Sequence, residues 1–137
     1  MVKIEITIEQ VSDTLILDVF GLVDADDIIA FVEGLRSDQV KKNHLWDLTY
    51  ADLYQLDRIG FTRIARAFSK YDDVREGGTT MIVASSEVEA ILLKLYSSVS
   101  ENLLNRSIVF HIAGSKDEAI AWSMNRGALA NPLNSKS

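Results

Sequence analysis

At 137 residues and 47% hydrophobic composition the chain has the size of one globular domain, able to bury about 70% of the surface its unfolded form exposes. It contains no cysteine, which excludes disulfides, thiolate nucleophiles and Cys-ligated metals and leaves the fold to stand on its core. A formal charge of −6 argues against nucleic acid and anionic membranes, which both select for excess Lys and Arg, and no apolar run reaches membrane-spanning length.

The N-terminal Met-Val-Lys-Ile-Glu-Ile-Thr-Ile alternates, with Val2, Ile4, Ile6 and Ile8 on one side and Lys3, Glu5, Thr7 and Glu9 on the other. That period of two describes a half-buried edge strand, and it lacks the continuous apolar run of a signal peptide, so a cytoplasmic protein is expected. Residues 14–20 follow after Ser12 and Asp13 as the second arm of an antiparallel hairpin closed by Gly21. Asp24, Asp26 and Asp27 open a first helix with Ile28, Phe31, Val32 and Leu35 as its apolar stripe. A strand at 44–49 leads to a second helix over roughly 56–70, marked by Phe61, Ile64, Ala65 and Phe68. Gly77 and Gly78 turn the chain into the strand 80–84, and Ser86 with Glu89 makes a capping box for a third helix, its expected buried side being Val88, Ile91, Leu92, Leu95 and Val99. A strand at 107–112 and a second capping box, Ser115 with Glu118, lead into a short last helix with Ala119 and Trp122. The expectation is an α/β fold of order ββαβαβαβα: one mixed sheet of five strands, antiparallel in its first hairpin and parallel thereafter, with four helices. The domain spans 1–126, and residues 127–137, which hold the only proline and no periodicity, form a flexible tail.

The strand ends carry the candidate site. In a parallel sheet the ligand crevice lies at the carboxyl ends of the strands, which here collects Asp47, Thr49, Tyr50, Asp52, Ser85, Ser86 and His111, with Trp46 and Tyr54 nearby. Asp47, Asp52 and Asp57 form a spaced carboxylate series, although no glycine-bearing calcium loop accompanies it, and Asp47 reads best as a hydrogen-bond acceptor at a strand end. His44 and His111 are expected to be solvated and roughly 15 Å apart along the strands, too far to share a metal. Ser85 and Ser86 lack the flanking glycines of a nucleophile elbow and read as helix caps, while Gly77 and Gly78 precede a strand and so lack the context of a phosphate loop. Arg63, Arg66 and Lys70 fall at i, i+3 and i+7, a basic stripe able to meet an acidic partner. Leu93 falls off the apolar stripe of its helix, and its exposure would mark an interface.

This element order, together with Leu45-Trp46-Asp47-Leu48 before the second helix, Ile82-Val-Ala-Ser-Ser86 at a strand-to-helix step and Glu118-Ala-Ile-Ala-Trp122 in the last helix, resembles the SpoIIAA-like proteins of the STAS superfamily, relatives of bacterial anti-sigma factor antagonists. The resemblance covers residues 1 to about 124. It implies a non-enzymatic module of a bacterial cytoplasm that acts by binding a protein partner or itself, often as a homodimer, with no cofactor and no catalytic residue. The antagonists carry an Asp-Ser-Ser/Thr-Gly turn at the start of the second helix, whereas this chain has Gln55-Leu-Asp-Arg58 and no hydroxyl to phosphorylate. Asp57 stands there either as a permanent negative charge or as an ordinary first-turn aspartate. The alternative function is a small-molecule or lipid binder that uses the crevice at the strand ends, since the wider fold resembles lipid-carrying domains.

Overall fold

The computed structural model describes residues 2–101 and 108–130, with backbone alone at 99–101 and 127–130. Strands β1 (Lys3–Glu9) and β2 (Thr14–Leu22) form the antiparallel hairpin, with Ile6 opposite Leu17. The turn places Asp13 at φ 50, a conformation aspartate tolerates because its short polar side chain bonds locally. Helix α1 (Ala25–Glu33) then leads to β3 (Asn43–Asp52), and α2 (Arg58–Phe68) runs into a 3-10 turn, Ser69–Tyr71, and the single-turn α3 (Asp72–Arg75). Strand β4 (Thr79–Val83), helix α4 (Glu87–Glu101), strand β5 (Val109–Ala113) and helix α5 (Lys116–Ala130) complete the chain.

The sheet order is β1-β2-β3-β4-β5, with β2 to β5 parallel. Each parallel step moves one strand in the same direction, so right-handed crossovers deliver α1, α2 and α4 to one face of the sheet, and α5 returns across the other. The two faces make two cores. Leu15, Leu17, Val19, Trp46, Leu48 and Ile82 pack under Ile28, Val32, Phe61 and Leu93. On the reverse, Ile16, Leu45, Met81, Val83 and Ala113 pack under Ala119 of α5. Strand β1 has no helix on its charged face, which is why its alternation is the cleanest in the sequence.

The expected elements are present, with differences that have physical causes. Strand β3 runs three residues past its expected end because Tyr50, Ala51 and Asp52 continue to pair with Phe20, Gly21 and Leu22. The stretch after α2 holds two extra helical turns, anchored where Tyr71 Oη donates to the carbonyls of Val32 (2.9 Å) and Leu35 (3.0 Å) at the end of α1. Helix α5 continues to Ala130, through positions where a tail was expected from 127; Ser107 and the end of the chain lie outside the described residues. Gly77 has φ +76, and a Cβ on Gly78 would sit 2.0 Å from the Lys42 carbonyl oxygen, so this pair is a turn packed against backbone.

Two expectations are overturned. The apolar residues Val88, Ile91, Leu92 and Leu95 of α4 are 42 to 69% exposed, while Leu93 is 1% exposed and Ser97 is buried beside it. Helix α4 therefore sits with its apolar stripe turned away from the sheet; Val99 lies outside the described side chains. His44 is fully buried instead of solvated, because it occupies an inward position of a central strand and packs edge-on against Phe68 at 5.4 Å. His111 is half-buried, its ring stacked on Trp122 at 4.1 Å. The registers place His44 level with Thr80 and Phe110, one residue short of His111. The two imidazoles are thus separated across two strands, about 10 Å, and on opposite faces, and not by 15 Å along the strands.

Candidate functional site

The carboxyl ends of the parallel strands are shaped first by a bulge. Between the pairs Asp18–Asp47 and Phe20–Tyr50 strand β3 spends three residues where β2 spends two. Asp47 holds this irregularity, its Oδ1 accepting from Thr49 N at 3.0 Å and Thr49 Oγ1 at 2.5 Å. The shift carries the exposed Tyr50 onto Phe20, the rings parallel with centroids 5.9 Å apart. Lys116, at the start of α5, reaches back to Asp18 at 2.8 Å and to Asp47 at 3.8 Å. The hydrogen bond that Lys116 donates to Asp18 and the two negative charges hold its ammonium above its ordinary pKa.

The other polar candidates are committed to local partners at strand and helix ends. Asp52 accepts from Tyr54 N at 3.0 Å, and Asp57 caps α2 by accepting from Gly60 N at 2.7 Å. Ser86 caps α4 through Glu89 N at 3.2 Å, and Ser85 Oγ donates to Glu89 Oε1. These are the capping roles that the residue types favour. Asp57 is thus the N-cap of α2, which accounts for its position without any signalling charge.

The loop 52–57 and the first half of α4 enclose a cleft of about 660 Å³, bounded by Asp52, Tyr54, Asp57, Glu89, Leu92 and Tyr96. Its charged groups are all carboxylates, and the cap side chains Asp57 and Ser86 already hold Gly60 N and Glu89 N. The charge of the cleft therefore opposes a phosphate or carboxylate and suits a cationic or apolar group. Among the described residues no group of three His, Asp or Glu side chains is placed to hold a metal ion.

The expected crevice is divided by the sheet. Asp52, Tyr54 and Asp57 line the cleft with Glu89, which itself bonds Ser85 and Ser86. Asp47 and His111 have the register of the opposite face, with Lys116 and Trp122 of α5. Trp46 belongs to the core. The basic stripe is partly spent within the fold: Arg63 pairs with Asp26 at 2.5 Å and Lys70 donates to the Glu33 carbonyl at 3.1 Å, tying α2 and the 3-10 turn after it to α1. Arg66 is exposed.

Two features escaped the sequence reading. The outward face of α4, continuous with the cleft through Leu92, is the larger. The other is a buried polar pair. His44 has no hydrogen-bond partner of good geometry at either ring nitrogen. Burial, and then the nearby Arg75 charge, push its pKa well below the usual imidazole value, against a smaller opposing pull from the Lys41 backbone. Arg75 is 3% exposed and sits over the Phe68 ring at 5.8 Å. Nothing in a linear pattern marks either as buried, except that Arg75 directly precedes the Glu-Gly-Gly turn into β4.

A comparison with protein-family models finds no match for this chain, and a comparison with curated proteins finds none either. The fold is accordingly established as a five-stranded mixed α/β sheet by its own topology, and no helix among the described residues is long and apolar enough to cross a membrane.

Proposed function

We propose that the chain is a noncovalent binding module that self-associates through the outward face of α4, and that it is a SpoIIAA-like regulatory protein of a bacterial cytoplasm with no catalytic role. The observation that carries the reading is the stripe Val88, Ile91, Leu92 and Leu95, four large apolar side chains left in water on a helix whose opposite side is already packed. Spacing of i, i+3, i+4 and i+7 makes this a continuous ridge, the form that docks another helix.

A second copy fits that ridge by symmetry and charge. A two-fold axis through the middle of the stripe sets two α4 helices antiparallel, with Val88 opposite Leu95 and Ile91 opposite Leu92 of the other copy. Glu87 and Lys94 lie on one flank of the stripe, seven residues apart, so each copy's Glu87 meets the other's Lys94. Tyr54, exposed across the cleft from Leu92, extends the contact. The resemblance supports the regulatory reading through the element order, Leu45-Trp46-Asp47-Leu48 before the second helix, the strand-to-helix step Ile82-Val-Ala-Ser-Ser86 and Glu118-Ala-Ile-Ala-Trp122 in the last helix. The missing phosphorylatable hydroxyl at 55–58 removes the covalent switch but not a binding role.

Sedimentation across a concentration series tests the reading. A reversible dimer is expected, converted to monomer by Ile91→Glu with Leu95→Glu while the circular dichroism of the fold is kept. A monomer at every concentration would reject it.

A further inference from the structure

The helices on the α1 and α2 side of the sheet leave a second, smaller space. Between α2 and strands β3 to β5 lies a pocket of about 70 Å³ walled by Trp46, Phe61, Ile64, Phe68, Ile82 and Phe110. It is far more apolar than the cleft at the strand ends, and Ile64, Phe68 and Phe110 along it are only partly buried, so it has a mouth to solvent.

One cation lines this apolar space. Arg75 Nη2 donates to the Thr79 carbonyl and to Thr80 Oγ1, each at 2.7 Å, and Arg75 Nε is buried with no partner. Among the described residues no carboxylate lies within ion-pair distance of the guanidinium. Burial draws its pKa down to about 10, partly offset by Asp72, which leaves it charged at neutral pH. A guanidinium nine-tenths buried beside a cavity, with a donor unspent and, among the described residues, no carboxylate in ion-pair contact, is a group poised to take an anion. With both Nη2 hydrogens given to Thr79 and Thr80, the buried Nε–H is left to meet one oxygen of a carboxylate, whereas a phosphate dianion would need more positive charge than the one arginine supplies.

We propose that this pocket binds a short-chain monocarboxylate, its apolar body among the aromatic walls and one carboxylate oxygen accepting from Arg75 Nε. The volume sets the size of the body at roughly five non-hydrogen groups, which selects acids near pentanoate and excludes long-chain lipids. Asp72 also lines the pocket, half-buried, and its carboxyl is pushed above the ordinary carboxylate range chiefly by burial. Its charge opposes an incoming anion, so it tunes the affinity downward.

Titration of the full chain with pentanoate, followed by amide chemical shifts and by calorimetry, tests the site, with pentan-1-ol as the neutral probe. Pentanoate is expected to bind saturably, at least tenfold more weakly to Arg75→Met and several-fold more tightly to Asp72→Asn. Pentan-1-ol should bind wild type and Arg75→Met alike. Ala65→Leu, which narrows the pocket and leaves Arg75 in place, should weaken both probes. Absence of saturable binding to wild type, or pentanoate affinity that does not change with Arg75→Met, would overturn the proposal. The α4 double variant is expected to bind pentanoate as wild type does, so failure of this site and failure of self-association are separate results.

Discussion

Helices α1 and α4 lie on the same side of the sheet and both carry a regular apolar stripe, yet they use it in opposite ways. In α1 the stripe goes inward: Ile28, Val32 and Leu35 are buried, Phe31 is partly so, and Asp24 caps the start through Asp26 N at 2.8 Å. In α4 the more conspicuous stripe goes outward, and the helix is held by Leu93, with Tyr96 partly buried against the core. Periodicity identifies an apolar face without stating which surface it meets. A helix with one face packed inward and a longer one left in water is what the proposed self-association requires.

The contrast can be broken by substitution, most strongly at Leu93. Leu93→Ala removes a fully buried side chain that fastens α4 and should cost about 2 to 5 kcal/mol, the range for a core leucine, in urea unfolding. If α4 were instead held by its stripe, Leu95→Ala would cost as much; on the present account it changes the stability of the monomer by less than about 0.5 kcal/mol. Between these extremes, Asp57→Ala should cost about 1 kcal/mol in thermal or urea unfolding, the ordinary loss of an N-cap, and should not alter self-association.

A smaller, pH-dependent effect follows from His44. Its folded pKa lies well below the ordinary 6.5, so the folded state favours neutral imidazole while the unfolded chain takes up a proton near pH 6.5. The unfolded state then binds more protons, and stability should fall as pH drops below about 6.5. The half-buried His111, also lowered by desolvation, adds in the same direction. His44→Leu should flatten this slope and be neutral or stabilising at pH 7, because it removes two unsatisfied ring nitrogens from the core. A slope unchanged by His44→Leu would place the titration elsewhere.

Much of the architecture was legible because local rules and tertiary context agree. The alternation in β1, the capping boxes at Ser86 and Ser115 and the inward stripes of α1 and α2 each lead to the element observed. What was not legible depends on neighbours distant in sequence. The length of β3 is fixed by pairing with Gly21 and Leu22, and the orientation of α4 by the space left beside α2. Burial of His44 follows from the center of the sheet and not from its flanking lysines and asparagine. At the site, Asp52, Asp57, Ser85 and Ser86 stand at strand and helix ends as their residue types suggest, whereas Asp47 lies inside β3, which runs on to Asp52, and sequence proximity could not reveal that the sheet separates Asp47 and His111 from Asp52, Tyr54 and Asp57. The Arg63 stripe was likewise visible as a pattern, while its ion pair with Asp26, 37 positions away, was not.

The most direct test of the outward face uses the absence of cysteine, which makes any introduced thiol unique. Ile91 and Ile59 are almost equally exposed, at 61% and 64%, but only Ile91 lies beside the expected two-fold axis. Under mild oxidation Ile91→Cys should convert to a disulfide-linked dimer much faster than Ile59→Cys at the same protein concentration, read by non-reducing electrophoresis. Equal rates for the two variants would mean that copies meet only by random collision, and would contradict self-association through α4.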